Sequence, residues 1–170
     1  NARSYQVEHE FNLRQNGLFA QFSPDDRFVV TGDSGGYATV WNCVTGLKVG
    51  APPRFTQEVT SLDLSPNAEE FLAASADGTA RCWSLLTAQP VSPFFRHRGI
   101  IWTAAYSPDG TRVLTASADR TAQIWNAHTG QPLFKPFQHA QDVLLARFSP
   151  NGRSLLTTSE DATARVWDAT

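Results

Sequence analysis

Short runs of alternating apolar and polar residues, separated by turn signals, recur along the whole chain. In the segment 100–134, the alternation from Ile101 to Tyr106 leads into Ser107-Pro108-Asp109-Gly110. Pro, Asp and Gly suit the second, third and fourth positions of a type I turn. Three more β-prone runs follow, at residues 112–117, 121–125 and 131–134. Because no run has helical periodicity with caps, the pattern predicts a unit of four short antiparallel strands.

This unit is repeated four times at a spacing of 42 residues. Two independent landmarks keep the spacing without any insertion. One landmark is a tryptophan, at Trp41, Trp83, Trp125 and Trp167. The other is a Ser-Pro pair, which begins at Ser23, Ser65, Ser107 and Ser149. A fixed period indicates a repeat architecture, in which each unit stacks on its neighbours and buries a shared core.

Units three and four carry a residue set that resembles the WD-repeat β-propeller family. In unit three the set is His97, Ser107-Pro108-Asp109-Gly110, Thr115, Asp119, Thr121 and Trp125-Asn126. In unit four it is His139, Ser149-Pro150-Asn151-Gly152, Thr157, Asp161, Thr163 and Trp167-Asp168. The combined spacing carries the resemblance, since a single Ser-Pro or Trp-Asp pair is not specific. Recurrent Ala-Asp-x-Thr-Ala segments are similar to the bacterial branch of the family.

The resemblance covers nearly the whole chain and implies an all-β fold. We expect a β-propeller of four-stranded antiparallel blades, with four blades in this chain. Residues 1–170 would form a single propeller segment. Its repeats would span about 11–52, 53–94, 95–136 and 137–170.

The resemblance also implies a structural hydrogen-bond network that links a loop His, a strand Thr, a turn Asp and the Trp indole. The implied sets are His97, Thr115, Asp119 and Trp125, and then His139, Thr157, Asp161 and Trp167. A buried indole N–H needs an acceptor, so the chemistry is reasonable. Unit two has Phe55 and Ala73 at the His and Thr positions, and unit one departs further at Leu13, Gly35 and Gly36. We therefore expect the first two blades to be less rigid, or to be held by apolar packing instead.

The two ends of the chain predict an exchange of strands. The fourth-strand segment maps by 42-residue steps onto an opening outer strand at about residues 5–10, whereas the last unit ends after its third strand. An opening strand can supply the missing one, and closure removes an unpaired edge. Three arrangements stay open: a homodimer that closes an eight-bladed ring, a fragment whose remaining blades lie in a longer parent chain, and a true four-bladed ring.

Composition narrows the classes of partner. Hydrophobic residues make up 41% of the chain and charged residues 18%, which is typical of a globular protein. The formal net charge is -2 and basic residues are scattered singly, which argues against nucleic acid or an anionic membrane as partner. No apolar run of about 18 residues occurs in the sequence, so we expect neither a signal peptide nor a membrane-spanning segment within it. Because it begins at Asn1 and contains no Met, we expect a segment excised from a longer parent.

The cysteines and histidines favour structural roles. Cys82 occupies the position of Val40, Ile124 and Val166 in the other units, so we expect a buried thiol, a reducing compartment and a cytoplasmic location. The His-Asp pairs could be catalytic dyads or metal ligands. A catalytic set normally occurs once, however, whereas these pairs recur. We therefore expect no enzyme activity, no cofactor and no metal.

The residues that open each innermost strand differ from unit to unit, and we expect them on the top face around the central channel. They are Leu18, Glu58, Thr60, Ile100, Trp102, Asp142 and Leu144. We expect Glu160, which directly precedes the turn aspartate of unit four, on the same face. Apolar anchors within an acidic rim suit a peptide or protein partner with basic residues. In the alternative interpretation, Trp102 packs inward against the neighbouring blade.

The sequence therefore predicts a non-catalytic protein-interaction scaffold with a top-face binding surface. One alternative is a regulatory or sensory domain of a larger bacterial multidomain enzyme, such as a protein kinase. A second alternative is a propeller that binds a small molecule or a sugar in its central channel.

Overall fold

Each 42-residue unit folds into one antiparallel sheet, which we call a blade. The structure is a computed structural model that describes residues 6–170. Within this range it has fourteen strands and no helix. Four sheets follow one another along the chain. The predicted all-β propeller architecture with four antiparallel blades is confirmed.

Blades 2 and 3 have the four expected strands, whereas blades 1 and 4 have three each. Blade 1 contains β1 (Gly17–Phe22), β2 (Phe28–Asp33) and β3 (Ala38–Asn42). Blade 2 contains β4 (Val59–Leu64), β5 (Glu70–Ser75), β6 (Thr79–Ser84) and β7 (Phe95–Arg96). Blade 3 contains β8 (Ile101–Tyr106), β9 (Arg112–Ser117), β10 (Thr121–Asn126) and β11 (Phe137–Gln138). Blade 4 contains β12 (Val143–Phe148), β13 (Ser154–Ser159) and β14 (Ala164–Asp168).

The Ser-Pro segments form the turns between the first two strands of each blade. In blade 3, the Gly110 N–H donates to the Ser107 carbonyl oxygen at 2.9 Å, which closes the turn. The Ser107 hydroxyl donates to the Asp109 carboxylate at 2.6 Å. The fourth turn residue has a positive φ in every blade, at Asp26, Ala68, Gly110 and Gly152. Glycine adopts this backbone conformation with least strain, which explains its presence in blades 3 and 4.

The fourth strand was predicted in the wrong place. The structure has β11 at Phe137–Gln138, whereas the pattern predicts residues 131–134. Within 131–134, Pro132 makes only an isolated bridge to Trp125. The equivalent bridge in blade 1 joins Trp41 to Lys48, so the break does not require a proline, and regular pairing of this edge begins only at Phe137–Gln138.

The predicted opening strand at about 5–10 falls partly outside the described residues, which begin at residue 6. Residues 6–10 have no strand assignment in this structure. The opening strand therefore stays a prediction.

The core consists of three hydrophobic clusters, each between two successive blades. Val30 and Val40 of blade 1 meet Phe71 of blade 2, for example, and all three are fully buried. The other two clusters repeat this contact between blades 2 and 3 and between blades 3 and 4. We call each such interface a joint. Every joint joins the middle strands of one blade to the first strands of the next.

The cysteines do not form a disulfide. Cys82 is fully buried in the joint between blades 2 and 3. Burial raises the pKa of this thiol to about 12, so it stays protonated and behaves as a small apolar side chain.

Candidate functional site

Blade 3 links four side chains from two loops and two strands. Nδ1 of His97 lies 2.8 Å from Oδ2 of Asp119, and Nε2 lies 2.7 Å from Oγ1 of Thr115. The indole Nε1 of Trp125 donates to the same Thr115 oxygen at 2.8 Å. A carboxylate only accepts, so Nδ1 donates to Asp119, and with a neutral imidazole the Thr115 hydroxyl donates to Nε2. The chain of bonds thus runs from indole to carboxylate.

Blade 4 repeats this arrangement with nearly the same distances. His139 lies 2.9 Å from Asp161 and 2.7 Å from Thr157, and Trp167 donates to Thr157 at 2.8 Å. The structure thus brings together both predicted sets of four residues.

Hydrogen bonds keep both turn aspartates charged. Burial alone would raise the pKa of Asp119, but hydrogen bonds from His97 and Thr121 outweigh it and hold that pKa well below its usual range. A hydrogen bond from Thr163 is the main reason that the pKa of Asp161 is also low. Each carboxylate therefore stays ionised and accepts hydrogen bonds from the loop that carries the histidine of its blade.

The two histidines have no free ring nitrogen for catalysis. Their side chains are 4% exposed for His97 and 0% exposed for His139, and both nitrogens of each ring are bonded within the blade. A general base must reach a substrate proton, which these imidazoles cannot do. Within residues 6–170, no group of three or more His, Cys, Asp or Glu side chains is placed to hold a metal ion.

Blade 2 has a different environment around its tryptophan. Nε1 of Trp83 is buried without a hydrogen-bond partner among the described residues, because Ala73 stands at the Thr position. Phe55 packs edge-on against Trp83 at 6.4 Å between ring centroids, much as His97 packs against Trp125 at 5.9 Å. Apolar packing thus takes the place of the polar network in this blade.

Blade 1 retains half of the network, which the sequence reasoning missed. Trp41 Nε1 donates to Oγ1 of Thr31 at 2.9 Å. Thr31 lies two 42-residue steps before Thr115, so the period alone could have found it. Asp33 replaces the turn aspartate and accepts the backbone N–H of Tyr37 at 3.0 Å.

A β-bulge lies near the start of the innermost strand of every blade. The pairing skips one residue each time, and the skipped residues are Leu18, Thr60, Trp102 and Leu144. These are the four strand residues predicted for the top face. A bulge leaves one residue without a cross-strand partner and re-aims its side chain. We define the top face as the end of the blades where these bulges lie.

Three of the four bulged side chains are apolar and partly open to solvent. Leu18 is 45% exposed, Trp102 37% and Leu144 39%. Trp102 belongs to none of the three hydrophobic clusters among the described residues. Thr60 differs, because its hydroxyl donates to the Ile101 carbonyl oxygen across the joint between blades 2 and 3.

The other predicted residues lie on loops at the same end. The carbonyl oxygens of Glu58, Ile100 and Asp142 each accept a backbone N–H from the loop that holds the turn aspartate. In blade 4 this bond joins the backbones of Asp142 and Glu160 at 3.0 Å, so two acidic residues lie on adjacent loops. Glu58 and Glu160 are exposed, whereas Ile100 and Asp142 are half-buried. Within residues 6–170, none of these three carboxylates makes an ion pair.

Comparison with known families agrees with this geometry. The profile described as WD domain, G-beta repeat, matches residues 14–42, 51–84, 88–126 and 130–168. The chain belongs to the WD40 repeat family. Each matched range of this WD40 chain ends one residue after a repeat tryptophan, so the profile and the 42-residue period define the same four repeats. The predicted family is therefore confirmed.

A solved structure shows the same fold. The crystal structure of the computationally designed Ika4 protein is 24% identical to this WD40 chain, with a TM-score of 0.86. The alignment covers 98% of this chain and 100% of that chain. At this identity the likeness concerns the fold alone. Within residues 6–170, no helix is long and apolar enough to cross a membrane.

Proposed function

We propose that this WD40 chain is a non-catalytic interaction scaffold that binds a peptide or protein on its top face. WD40 repeats in general mediate protein interactions, which supports the class of function. The observation that carries the specific proposal is the set of bulges. Three of them present an exposed apolar side chain, Leu18, Trp102 or Leu144, at the same end of the blades.

Rigid presentation is the mechanism. The bulges at Thr60 and Trp102 lie on innermost strands that have a neighbouring blade on each side, and the loops beside all four bulges are tied by backbone hydrogen bonds. Binding therefore orders little of the scaffold itself. A preorganised surface loses less conformational entropy on association than a mobile one does.

The charge of the top face favours a partner with basic residues. Glu58, Asp142 and Glu160 lie at the same end of the blades as the apolar positions, and within residues 6–170 none of them makes an ion pair that a Lys or Arg of a ligand would have to displace. Such charges mainly increase the association rate and the specificity, whereas the buried aromatic or aliphatic anchor supplies most of the affinity.

Selection from a random peptide display library tests this proposal, with affinities of the selected synthetic peptides measured by fluorescence anisotropy. We expect the selected peptides to be rich in Lys and Arg. The Trp102→Ala variant should bind them about tenfold or more weakly, because aromatic anchors dominate such interfaces. Its melting temperature should change little.

Leu86→Ala is the matched control. Leu86 is 62% exposed and lies in a turn at the opposite end of blade 2. Unchanged peptide affinity in Trp102→Ala would contradict the proposed surface. A large loss of melting temperature in Trp102→Ala would instead support the inward-packed interpretation.

A second candidate function is small-ligand binding in the central channel. A cavity of about 220 Å³ lies between the innermost strands, and polar side chains such as Gln21, Asp63 and Arg147 line it. Burial raises the pKa of Asp63, although its carboxylate accepts the Tyr106 N–H at 2.7 Å. The volume is below the range of about 300 to 1,000 Å³ typical of drug-sized ligands, so only a small polar molecule would fit. A melting-temperature increase with a monosaccharide panel, abolished in Asp63→Ala, would favour this function.

A further inference from the structure

The outer face of blade 4 exposes side chains whose repeat equivalents are buried. Val166 is 73% exposed and Leu156 is 40% exposed. One period earlier, Ile124 and Leu114 are both 0% exposed in the joint between blades 3 and 4. The equivalent residues of blades 1 and 2 are also fully buried: Val30, Val40, Leu72 and Cys82. We call Leu156 and Val166 the blade-4 face.

Blade 1 is open on the opposite side. All six residues of β1 are exposed, including Ala20 and Phe22. Phe22 is 62% exposed, whereas its equivalents Leu64 and Tyr106 are each 7% exposed. We call Ala20 and Phe22 the blade-1 face.

The two faces are the two halves of one joint. In the joint between blades 2 and 3, Leu72 and Cys82 supply one half, and Ala104 and Tyr106 supply the other. By the 42-residue period, the first pair corresponds to Leu156 and Val166 of the blade-4 face. The second pair corresponds to the blade-1 face. Each face therefore has the shape and chemistry to receive the other.

The segment that would form the closing strand already lies against blade 1. The Phe11 ring lies 4.9 Å from the Trp41 ring, as Phe95 lies 5.8 Å from Trp125. Phe95 also begins β7, the fourth strand of blade 2, which pairs with β6 at the edge of that blade. Phe11 is two periods before Phe95, so it is placed to pair in the same way with β14, the edge strand of a fourth blade. The predicted closing segment thus extends to residues 11–12, just beyond residues 5–10.

From these observations we infer that a second copy of this chain docks on both faces and closes an eight-bladed ring. The blade-1 face of each copy packs on the blade-4 face of the other. The two faces of a single chain do not cover one another in this structure, since β1 and Val166 are both exposed. When two copies dock reciprocally, both faces of each copy become buried. The two copies are then related by one twofold axis, which is the commonest symmetry of oligomers.

Light scattering coupled to size-exclusion chromatography of the 170-residue chain, across a concentration series, tests the assembly. We expect a mass of twice 18.7 kDa. Val166→Asp and Phe22→Asp should each give a folded species of 18.7 kDa, because a charge would be buried in both new joints. Leu86→Asp is the control, since Leu86 is exposed on a blade with neighbours on both sides, and it should stay dimeric.

Mixing the two variants identifies which faces meet. In a mixed pair, one joint carries both aspartates and the other joint carries the native Val166 and Phe22. A mixture of Val166→Asp and Phe22→Asp should therefore recover a dimer that neither variant forms alone. If Phe22→Asp stays dimeric while Val166→Asp does not, blade 4 pairs with blade 4 and the inference is wrong.

A native chain that is monomeric across the series would overturn the inference, and so would a mass that keeps growing with concentration. Near-ultraviolet circular dichroism of each variant verifies that the blades remain folded. Both mutated side chains are exposed in the single chain, so folding should tolerate the change. Peptide binding on the top face is measured separately, so either proposal can fail without the other.

Discussion

Blades 2 and 3 place a tryptophan at the same point with different chemistry. Trp83 and Trp125 each pair with the neighbouring middle strand and each make an isolated bridge to a proline. Trp125 has the full set of hydrogen bonds, whereas the Trp83 indole N–H has no partner. Strand pairing and ring packing are therefore sufficient to position the indole. The polar network adds stability and fixes the loops.

The tryptophans of blades 2 and 3 are stabilised by different interactions. An unpaired buried N–H costs about 1 to 3 kcal/mol. In blade 2, Phe55 and Phe71 lie 6.4 Å and 6.5 Å from Trp83, and aromatic pairs of this kind offset part of that loss. Substitutions in the two blades measure how much each arrangement contributes to stability.

The largest difference is expected between two Trp→Phe variants. Trp125→Phe should lower the free energy of unfolding by about 3 kcal/mol, because it removes ring area and the donor to Thr115. Trp83→Phe removes ring area too, but it also removes the unpaired N–H, so its loss should be about 1 kcal/mol. Urea denaturation measures both. Equal losses would refute the energetic role of the network.

Thr115→Ala makes blade 3 resemble blade 2. It leaves the Trp125 indole N–H and the His97 Nε2 without their shared partner, so we expect a loss of about 2 kcal/mol in urea denaturation. Thr129→Ala is the control, because Thr129 is exposed in a turn, and its effect should stay within about 0.5 kcal/mol. A loss no greater than that of the control would show that the hydroxyl contributes nothing.

The reverse change gives blade 2 the arrangement of blade 1. In Ala73→Thr the new hydroxyl can accept the Trp83 indole N–H, as Thr31 does for Trp41. We expect a gain of about 1 kcal/mol in thermal and urea unfolding. Ala73→Val has the same shape without the hydroxyl. If valine stabilises as much as threonine, packing rather than hydrogen bonding is the cause.

The smallest effect concerns a turn aspartate in acid. A hydrogen bond from Ser107 lowers the pKa of Asp109 from 3.8 to about 2. Its contribution is therefore present above pH 4 and is lost as the pH falls toward 2, because the unfolded chain takes up the proton first. Asp109→Asn should flatten this part of the stability curve by about 0.5 kcal/mol or less, since the group is exposed. Asn151 accepts the equivalent Ser149 bond, so the turn should persist. An unchanged slope would show that Asp109 does not titrate with folding.

The 42-residue spacing of the tryptophans and Ser-Pro pairs was sufficient to predict the blades, because units of constant length place their first three strands and the turns between them at equivalent positions. It failed for the fourth strand of blade 3, which pairs regularly at Phe137–Gln138 and makes only an isolated bridge within 131–134. The motif, by contrast, missed Thr31, because Gly35 and Gly36 indicated that the whole network was lost in blade 1. The 42-residue step was a better guide than the motif.

The candidate site was only partly accessible from sequence. The period identified Leu18, Thr60, Trp102 and Leu144 as equivalent, but no alternation pattern reveals that each one is skipped by the strand pairing. Contacts between blades depend on three-dimensional packing and were also invisible. Tyr106 donates to Glu70 of the preceding blade at 3.2 Å, for example, across 36 residues of sequence.

The bulges separate the proposed binding positions from the pairing that holds the strands together. A bulged residue has no cross-strand pair, so its side chain can be exchanged without disturbing the register of either strand. Thr60 is the exception, since its hydroxyl holds a joint. Leu18, Trp102 and Leu144 therefore form three independently variable positions on an otherwise constant framework. New binding specificities could be selected at these positions while the tryptophans and joints that stabilise the blades remain untouched.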